Sequence, residues 1–201
     1  LKTHDGGITW RKVFVDDRKG MFLDAMEFWN EESGIVTGDP VNGKVFIART
    51  FDGGETWQPL PDENLPVGET GEAMFASSGT NIRAVSLSEA AFVTGGTKAR
   101  FFIRDNKVDL PLMQGQETTG ANSLAVYNSK KRKPAKHMVV VGGDFKADTV
   151  TLQNCAITAD GGKTWFNPQT PPHGYRSCVE YIAVNTLIAC GTSGIDVSTD
   201  G

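Results

Sequence analysis

The sequence predicts an all-β fold built from repeated four-stranded antiparallel sheets. Three observations support this prediction. An eight-residue motif recurs along the chain, short β-rich runs precede each copy, and no ten-residue stretch shows convincing helical periodicity. The 23 glycines, together with abundant Thr, Val and Phe, are typical of many short strands joined by tight turns.

The recurring motif, here called the octet, reads THDGGITW at 3–10, TFDGGETW at 50–57 and TADGGKTW at 158–165, and the chain ends in STDG at 198–201. The octet aspartates are separated by 47, 108 and 40 residues. The long gap covers about two periods. Near its centre, RFFIRDNKVDL is interpreted as a degenerate copy of the octet, with Asp105 at the position of the octet aspartate. A period of about 40–55 residues is in the range of propeller blades.

Each repeating unit reads as short runs divided by Gly, Asn, Asp or Pro. The first unit has FLDAMEFW, GIVTGDP, KVFIART and an exit strand that starts at Trp57. The later units have NIRAVSL, AAFVTGG and RFFIRDN, then NSLAVYN, HMVVVGGD and NCAITAD, and last SCVEYIAV, TLIACGTSG and IDVSTDG. Sheets of this kind, arranged radially, form a β-propeller.

The chain is therefore expected to be a single propeller domain of about four blades. The blades would cover approximately 11–60, 61–112, 113–168 and 169–201 together with 1–10. Because both ends carry an octet, we expect a portion of a larger ring. A compact four-bladed ring is the alternative.

The octet falls between the third and fourth runs of a unit, so it is predicted to be a structural hairpin connection. Glycine permits a positive φ, the Asp carboxylate accepts backbone N–H groups of its own turn, and the hydroxyls brace the loop. The Trp then offers a large apolar face to the sheet. The residues assigned this role are Thr3, Asp5, Gly7, Thr9, Trp10, Thr50, Asp52, Gly54, Thr56, Trp57, Thr158, Asp160, Gly162, Thr164, Trp165, Ser198 and Asp200.

The octet pattern [ST]-x-D-x-G-x-T-W resembles the Asp-box (BNR) repeat of sialidase-like propellers. Four further segments resemble a bacterial group related to photosystem II assembly factors: GEAMFASSGT, VVVGGDF, GYRSCVEY and GTSGIDVSTDG. Members of that group are often labelled oxidoreductase or glycosyl hydrolase. The resemblance implies a propeller of seven blades and supports the fold more than any activity.

Ligand-binding candidates come from the connections opposite the octets, because loops on a rigid scaffold usually carry binding. Arg100 and Arg176 are predicted to contact an anion or carboxylate, and Tyr175 to stack or donate its hydroxyl. Asp39, Glu72 and Asp144 are predicted as polar anchors. The full set of candidates is Asp39, Glu72, Ser78, Arg100, Asp144, Tyr175, Arg176 and Asp196. The alternative for Asp39, Asp144 and Asp196 is that they cap turns after glycine.

The predicted function is a non-catalytic binding or assembly module for a polypeptide or a glycan. The alternative is a sialidase-like glycoside hydrolase, in which Arg83, Arg100 and Arg176 would converge on a carboxylate. Glu180 and Tyr181 would then supply the activated nucleophile, but consecutive strand residues point to opposite faces. Dinucleotide chemistry is rejected, since VVVGGDF has no following helix and no GxGxxG spacing.

Composition narrows the classes of binding partner that the sequence predicts. The net charge of −4 gives no pull toward nucleic acid, and no run of 18 apolar residues predicts membrane insertion. The basic run 129–137 is interpreted as a solvated hairpin loop. No metal or other cofactor is expected, because His4, His137 and His173 lack paired spacing.

The cysteines leave the compartment and the redox state open. Cys178 and Cys190 are interpreted as two small buried hydrophobes that could lie on neighbouring strands, and an odd total of three argues against a disulfide framework. We expect a secreted or periplasmic protein, and the oligomeric state stays open.

Overall fold

The computed structural model describes residues 1–128 and 131–200, and its regular structure is almost entirely β. The one helical element of these residues is a 3-10 turn at Asp62–Asn64. The strands are β1 (Leu23–Phe28), β2 (Gly34–Val41), β3 (Lys44–Thr50), β4 (Gln58–Pro59), β5 (Glu72–Ala73), β6 (Ile82–Ala84), β7 (Ala90–Val93), β8 (Gly95–Gly96), β9 (Arg100–Ile103), β10 (Asn106–Asp109), β11 (Thr119–Val126), β12 (Met138–Asp144), β13 (Cys155–Thr158), β14 (Cys178–Ala183), β15 (Thr186–Gly191) and β16 (Gly194–Ser198). The predicted all-β class is confirmed.

Within the described residues the strands form four antiparallel sheets. The first sheet has the order β1-β2-β3-β4 and the second β6-β7-β9-β10. The third combines β11, β12 and β13 with the short strands β8 and β5, which extend it beyond β11. The fourth has the order β14-β15-β16. Apart from β5 and β8, strands that follow one another within a sheet thus pair up and down, as short connections between antiparallel strands require.

The first strands of the four sheets lie side by side around a common axis. β6 contacts both β1 and β11, and β11 also contacts β14. The sheets pack face to face outward from this axis. Buried Ile47 and Phe102 fill the space between the first and second sheets, and Phe101 and Leu124 that between the second and third. Complete burial of each of these side chains contributes about 2 kcal/mol.

The octets connect third strands to fourth strands. Octet 50–57 joins β3 to β4, and octet 158–165 leads to Phe166, which bridges back to Ile157. In octet 50–57 the Thr50 hydroxyl donates to Asp52 Oδ1 (2.8 Å) and accepts the Gly54 N–H (2.8 Å). Thr56 donates its N–H to Asp52 Oδ1 (3.0 Å) and its hydroxyl to Asp52 Oδ2 (2.6 Å).

The octets at 3–10 and 158–165 repeat this network atom for atom. Thr9 donates its N–H and its hydroxyl to Asp5, and Thr164 donates the same two groups to Asp160. In these two octets the Trp indole N–H also donates to a glycine carbonyl, Trp10 to Gly7 O and Trp165 to Gly162 O. The glycine is required at 162, where φ is +85° and an added Cβ would lie 2.3 Å from Phe101 Cε1. Asp105 instead sits in a two-residue hairpin beside Arg104, whose φ is 52°.

The connections fall on two faces. The octet face carries the octets and the turns between first and second strands, since Gly53 N–H donates to Glu32 O (2.8 Å) and Gly161 N–H to Lys136 O (3.0 Å). The loop-rich face carries the other hairpins and the crossovers between sheets. The hairpin of the first sheet on this face is tight, because β2 reaches Val41 and leaves only Asn42 and Gly43 in the turn.

Two other sequence predictions concern side-chain exposure. Cys178 and Cys190 are register partners on β14 and β15, but Cys190 is exposed, so its prediction as a buried residue is wrong. Burial raises the pKa of the Cys155 thiol to about 12.

In the basic run, residues 129 and 130 lie outside the described part of the chain. Ala135 is buried and donates its N–H to Val85 O (2.8 Å), so that end of the run packs on the second sheet.

Candidate ligand-binding site

A broad open cavity, here called the axial pocket, lies on the loop-rich face where the first strands converge. Its volume is about 440 Å³. The residues that line it are Phe22, Asp24, Asp39, Met74, Phe75, Ala76, Ser77, Asn122, Phe145 and Tyr175. They come from β1, β2, β11 and four segments outside the strands, so the pocket exists only once the sheets have assembled around the axis.

Three β-bulges supply the two carboxyls and the amide of the axial pocket. The β1–β2 register shifts between Leu23 and Ala25, which leaves Asp24 as the extra residue. The β2–β3 register shifts around Asp39, and the β11–β12 register shifts around Asn122. A bulge re-aims a side chain that regular alternation would direct elsewhere. All three re-aimed residues line this one cavity.

Close backbone contacts require glycine opposite two of these bulges. A Cβ on Gly38 would lie 2.0 Å from Phe22 O, and a Cβ on Gly142 would lie 1.8 Å from Gly120 O. Both glycines therefore let the second strand of a sheet approach the start of the first strand, where the bulge forms.

Asp24 is the least satisfied polar group in the axial pocket. It is only 8% exposed, and its Oδ2 atom is buried without a hydrogen-bond partner. Burial, reinforced by the charge of Asp39, raises the pKa of the Asp24 carboxyl to about 7. Burial also raises the pKa of Asp39, although its Oδ1 accepts the Met74 N–H (2.8 Å).

Hydroxyl and amide groups form the floor of the axial pocket. The Tyr175 hydroxyl donates to Asn122 Oδ1 (2.8 Å), and the Ser77 hydroxyl donates to the same atom (3.2 Å). Burial raises the pKa of Tyr175, so the phenol stays protonated. Polar contacts continue along the axis below the floor, from Ser78 to Thr80 (2.5 Å) and from Thr80 to Ser123 (2.6 Å).

Aromatic rings form one wall of the axial pocket. Phe75 and Phe145 meet edge to face with ring centroids 6.0 Å apart, and Phe145 meets Tyr175 in the same way at 6.4 Å. Phe145 is 42% exposed and Phe22 is 55% exposed, although both are large apolar side chains. Exposed rings beside buried carboxylates are typical of ligand sites rather than of cores.

The sequence-predicted candidates separate into several groups. Asp39 and Tyr175 line the axial pocket, whereas Ser78 lies below its floor. Asp144 ends β12 and accepts the Lys146 N–H (2.9 Å), which is a turn-capping arrangement. The remaining four candidates form two buried ion pairs away from the pocket lining.

Arg100 and Glu72 form the first of these pairs. Arg100 is 2% exposed and Glu72 is 4% exposed. The guanidinium donates to both Glu72 oxygens and to Val67 O (2.9 Å), and the Thr94 hydroxyl donates to Glu72 as well. Arg100 is predicted to contact an anionic ligand. In the structure its N–H groups instead donate to groups of the crossover that leads to the second sheet.

Arg176 and Asp196 form the second pair. Arg176 is 1% exposed and donates to Asp196 Oδ2 (2.6 Å), to Tyr175 O (2.8 Å) and to Ser193 Oγ (2.9 Å). The His173 ring lies 2.6 Å from Asp196 Oδ1. The guanidinium of Arg176 thus also donates to partners within the chain. These contacts tie the last crossover to the β15–β16 turn.

The arginine convergence considered for a sialidase does not form. Arg83 donates to Glu180 Oε2 (2.6 Å) and to Leu124 O (3.3 Å) on the axis. Arg100 and Arg176 remain in the separate pairs described above. Among the described residues, no group of three or more His, Cys, Asp or Glu side chains could hold a metal ion. No helix in that part of the chain is long and apolar enough to cross a membrane.

Comparison with known proteins agrees with this architecture. Residues 48–59 match the BNR/Asp-box repeat family. The structure resembles the GH74 enzyme of Niastella koreensis, with 12% identity over 86% of this chain and 26% of that chain and a TM-score of 0.59. It also resembles the GH74 xyloglucanase of Xanthomonas campestris, with 11% identity over 83% and 26% and a TM-score of 0.55. The chain spans about a quarter of the length of these two enzymes.

A third structure, YCF48 bound to D1 peptide, has 15% identity over 96% of this chain and 70% of that chain. Its TM-score of 0.39 is too low to support an argument. No curated protein matches the sequence significantly. The octet at 50–57 thus matches the BNR/Asp-box repeat, and the antiparallel sheets around one axis have the fold of a β-propeller, which confirms the predicted Asp-box repeat and the predicted fold.

Proposed function

We propose that this chain is a binding module whose polypeptide or glycan ligand sits in the axial pocket. The observation that carries the proposal is that three separate bulges direct Asp24, Asp39 and Asn122 into one cavity. A purely structural repeat gives no reason for this convergence, since each bulge disrupts its ladder and leaves one residue unpaired.

The chemistry of the axial pocket supports the same function. A few convergent polar groups in an otherwise apolar concave site are typical of ligand pockets. The exposed ring of Phe145 and the unpartnered Asp24 Oδ2 would both gain contacts from an occupant. Binding would therefore cover apolar surface and satisfy a buried polar atom, both of which are favourable.

The test compares two phenylalanines of similar exposure on opposite faces. Phe145→Ala removes a ring from the axial pocket, and Phe51→Ala removes one from octet 50–57. The probes are an immobilised library of random octapeptides and a panel of cellohexaose, xylohexaose and maltohexaose. We expect wild type and Phe51→Ala to bind the same probes, and Phe145→Ala to lose about tenfold in affinity. Binding by wild type that Phe145→Ala leaves unchanged would place the ligand elsewhere and overturn the proposal, as would no binding at all.

A second candidate, a glycoside hydrolase, is favoured by one observation. Two carboxyls, Asp24 and Asp39, line the same cavity, and burial raises the pKa of both, which fits the acid and base partners of such enzymes. Chromogenic 4-nitrophenyl glycosides test this candidate. Turnover that follows the Asp24 titration and that Asp24→Asn abolishes would favour catalysis. Turnover unaffected by Asp24→Asn, or no turnover, would leave the pocket as a binding site.

A further inference from the structure

We propose that the axial pocket accepts a cation, the ammonium of a lysine or the guanidinium of an arginine in a polypeptide. This inference rests on the proposed binding function and selects the polypeptide over the glycan. It depends on three features of the described residues: the charge of the lining, the unpartnered oxygen of Asp24 and the aromatic wall.

The lining of the axial pocket is acidic and holds no compensating cation. Asp24 and Asp39 supply two carboxylates, and the ten described lining residues include no Lys, Arg or His. The arginines elsewhere on the axis or on the loop-rich face already have carboxylate partners: Arg83 pairs with Glu180, Arg100 with Glu72, and Arg176 with Asp196. Once both carboxyls are ionised, the described lining therefore carries negative charge without a cation among its own residues.

The unpartnered oxygen of Asp24 identifies what an occupant must supply. Asp24 is more than nine-tenths buried and lines the pocket, and within the described part of the chain no group donates to its Oδ2. A buried carboxylate needs both a hydrogen-bond donor and a positive charge. An ammonium or a guanidinium provides both at once, whereas a sugar hydroxyl provides only the donor.

The aromatic wall favours the same class of ligand. The negative faces of Phe22, Phe75 and Phe145 attract a cation within about 6 Å of a ring, and rings surround ammonium groups in known recognition sites. The pocket is also open to solvent on the loop-rich face, so a side chain could enter while its backbone stays outside. A polypeptide offers such a side chain on a flexible stem.

The experiment uses three capped tripeptides that differ only at the central side chain: Ac-Gly-Lys-Gly-NH2, Ac-Gly-Arg-Gly-NH2 and the neutral Ac-Gly-norleucine-Gly-NH2. NMR titration at pH 8 suits the roughly millimolar affinity expected of a single side chain. We expect the lysine and arginine peptides to shift resonances of Phe75, Asn122 and Phe145 and to bind about tenfold more tightly than the norleucine peptide.

Two variants and one control test which charges matter. Asp24→Asn should weaken binding of the cationic peptides about tenfold, and Asp39→Asn should weaken it in the same direction if Asp24→Asn does not fold. Glu63→Gln removes an exposed charge of the 3-10 turn, outside the pocket, and should leave binding unchanged. An equal loss in Glu63→Gln would mean that only the net charge matters, which would overturn the inference.

The outcome also separates this inference from the proposed function. If library peptides or cellohexaose bind and Phe145→Ala weakens them, but the lysine and arginine peptides bind no better than the norleucine peptide, the cation inference fails and the binding function stands. If no probe shifts any resonance of the axial pocket, both fail.

Discussion

The octets and the axial pocket place the same functional group, an aspartate carboxyl, in opposite environments. Asp52 accepts hydrogen bonds from Thr50 and Thr56 within its own turn, and these bonds lower its pKa to about 2. Asp24 is buried beside another carboxylate, keeps one oxygen without a partner, and has its pKa raised to about 7. A repeated, locally satisfied acid stabilises the fold, whereas an isolated, unsatisfied one is available for a ligand.

The largest expected effect tests how tightly the octet packs against the neighbouring sheet. Gly162→Ala places a methyl group 2.3 Å from the ring of buried Phe101, at a φ of +85°. Backbone strain and overpacking together should cost about 4 kcal/mol of unfolding free energy, measured by urea denaturation.

A matched substitution separates the two causes of that loss. Gly7→Ala in octet 3–10 has a similar φ of +96°, but the nearest atom to its Cβ, in the Trp10 ring, is 3.7 Å away. It should cost only about 1–2 kcal/mol from backbone strain. Equal losses in the two variants would show that contact with Phe101 is not what fixes the octet against the sheet.

The next effect concerns the hydroxyl that begins each octet. Thr158 is 4% exposed, donates to Asp160 Oδ1 (2.8 Å) and accepts the Gly162 N–H (3.2 Å). Thr158→Val keeps the shape but removes both bonds, so it should cost about 1–2 kcal/mol in the same denaturation experiment. Thr151→Val at an exposed position of the 145–154 loop should change stability by less than about 0.5 kcal/mol. A neutral Thr158→Val would mean that the octet network contributes nothing to stability.

The sequence predicts the octet region well because its interactions are local. All octet partners lie within four residues of each other, so the motif itself contains the donors, the acceptor and the glycines. The strand runs are also local, since alternation and turn residues mark them. These two signals suffice for the fold class.

The axial pocket could be predicted only in part, because its residues depend on long-range pairing. Asp39 and Tyr175 were found from their positions in connections, but Asp24 and Asn122 lie inside apparent strands. Their orientation depends on bulges, which a single strand sequence does not reveal. Arg100 and Arg176 resembled ligand contacts because their carboxylate partners lie 28 and 20 residues away.

The smallest expected effect is a pH dependence of stability with opposite signs in the two regions. Between about pH 4 and pH 7 the folded protein keeps a proton on Asp24 that the unfolded chain has lost, so stability should fall as the pH rises through this window. We expect a loss of only about 1 kcal/mol between pH 5 and pH 8.

Two variants assign this pH dependence to its sources. Asp24→Asn should flatten the curve between pH 5 and pH 8, because no titrating group then remains at this position. Asp52→Asn should leave the slope in that window unchanged and remove only the slope below about pH 4, since the lowered pKa of Asp52 stabilises the fold above that pH and the contribution is lost as pH falls toward 2. Urea denaturation at each pH measures both. A slope between pH 5 and pH 8 that is the same in wild type and in Asp24→Asn would mean that Asp24 is ionised throughout, and the contrast between octet and pocket acids would then fail.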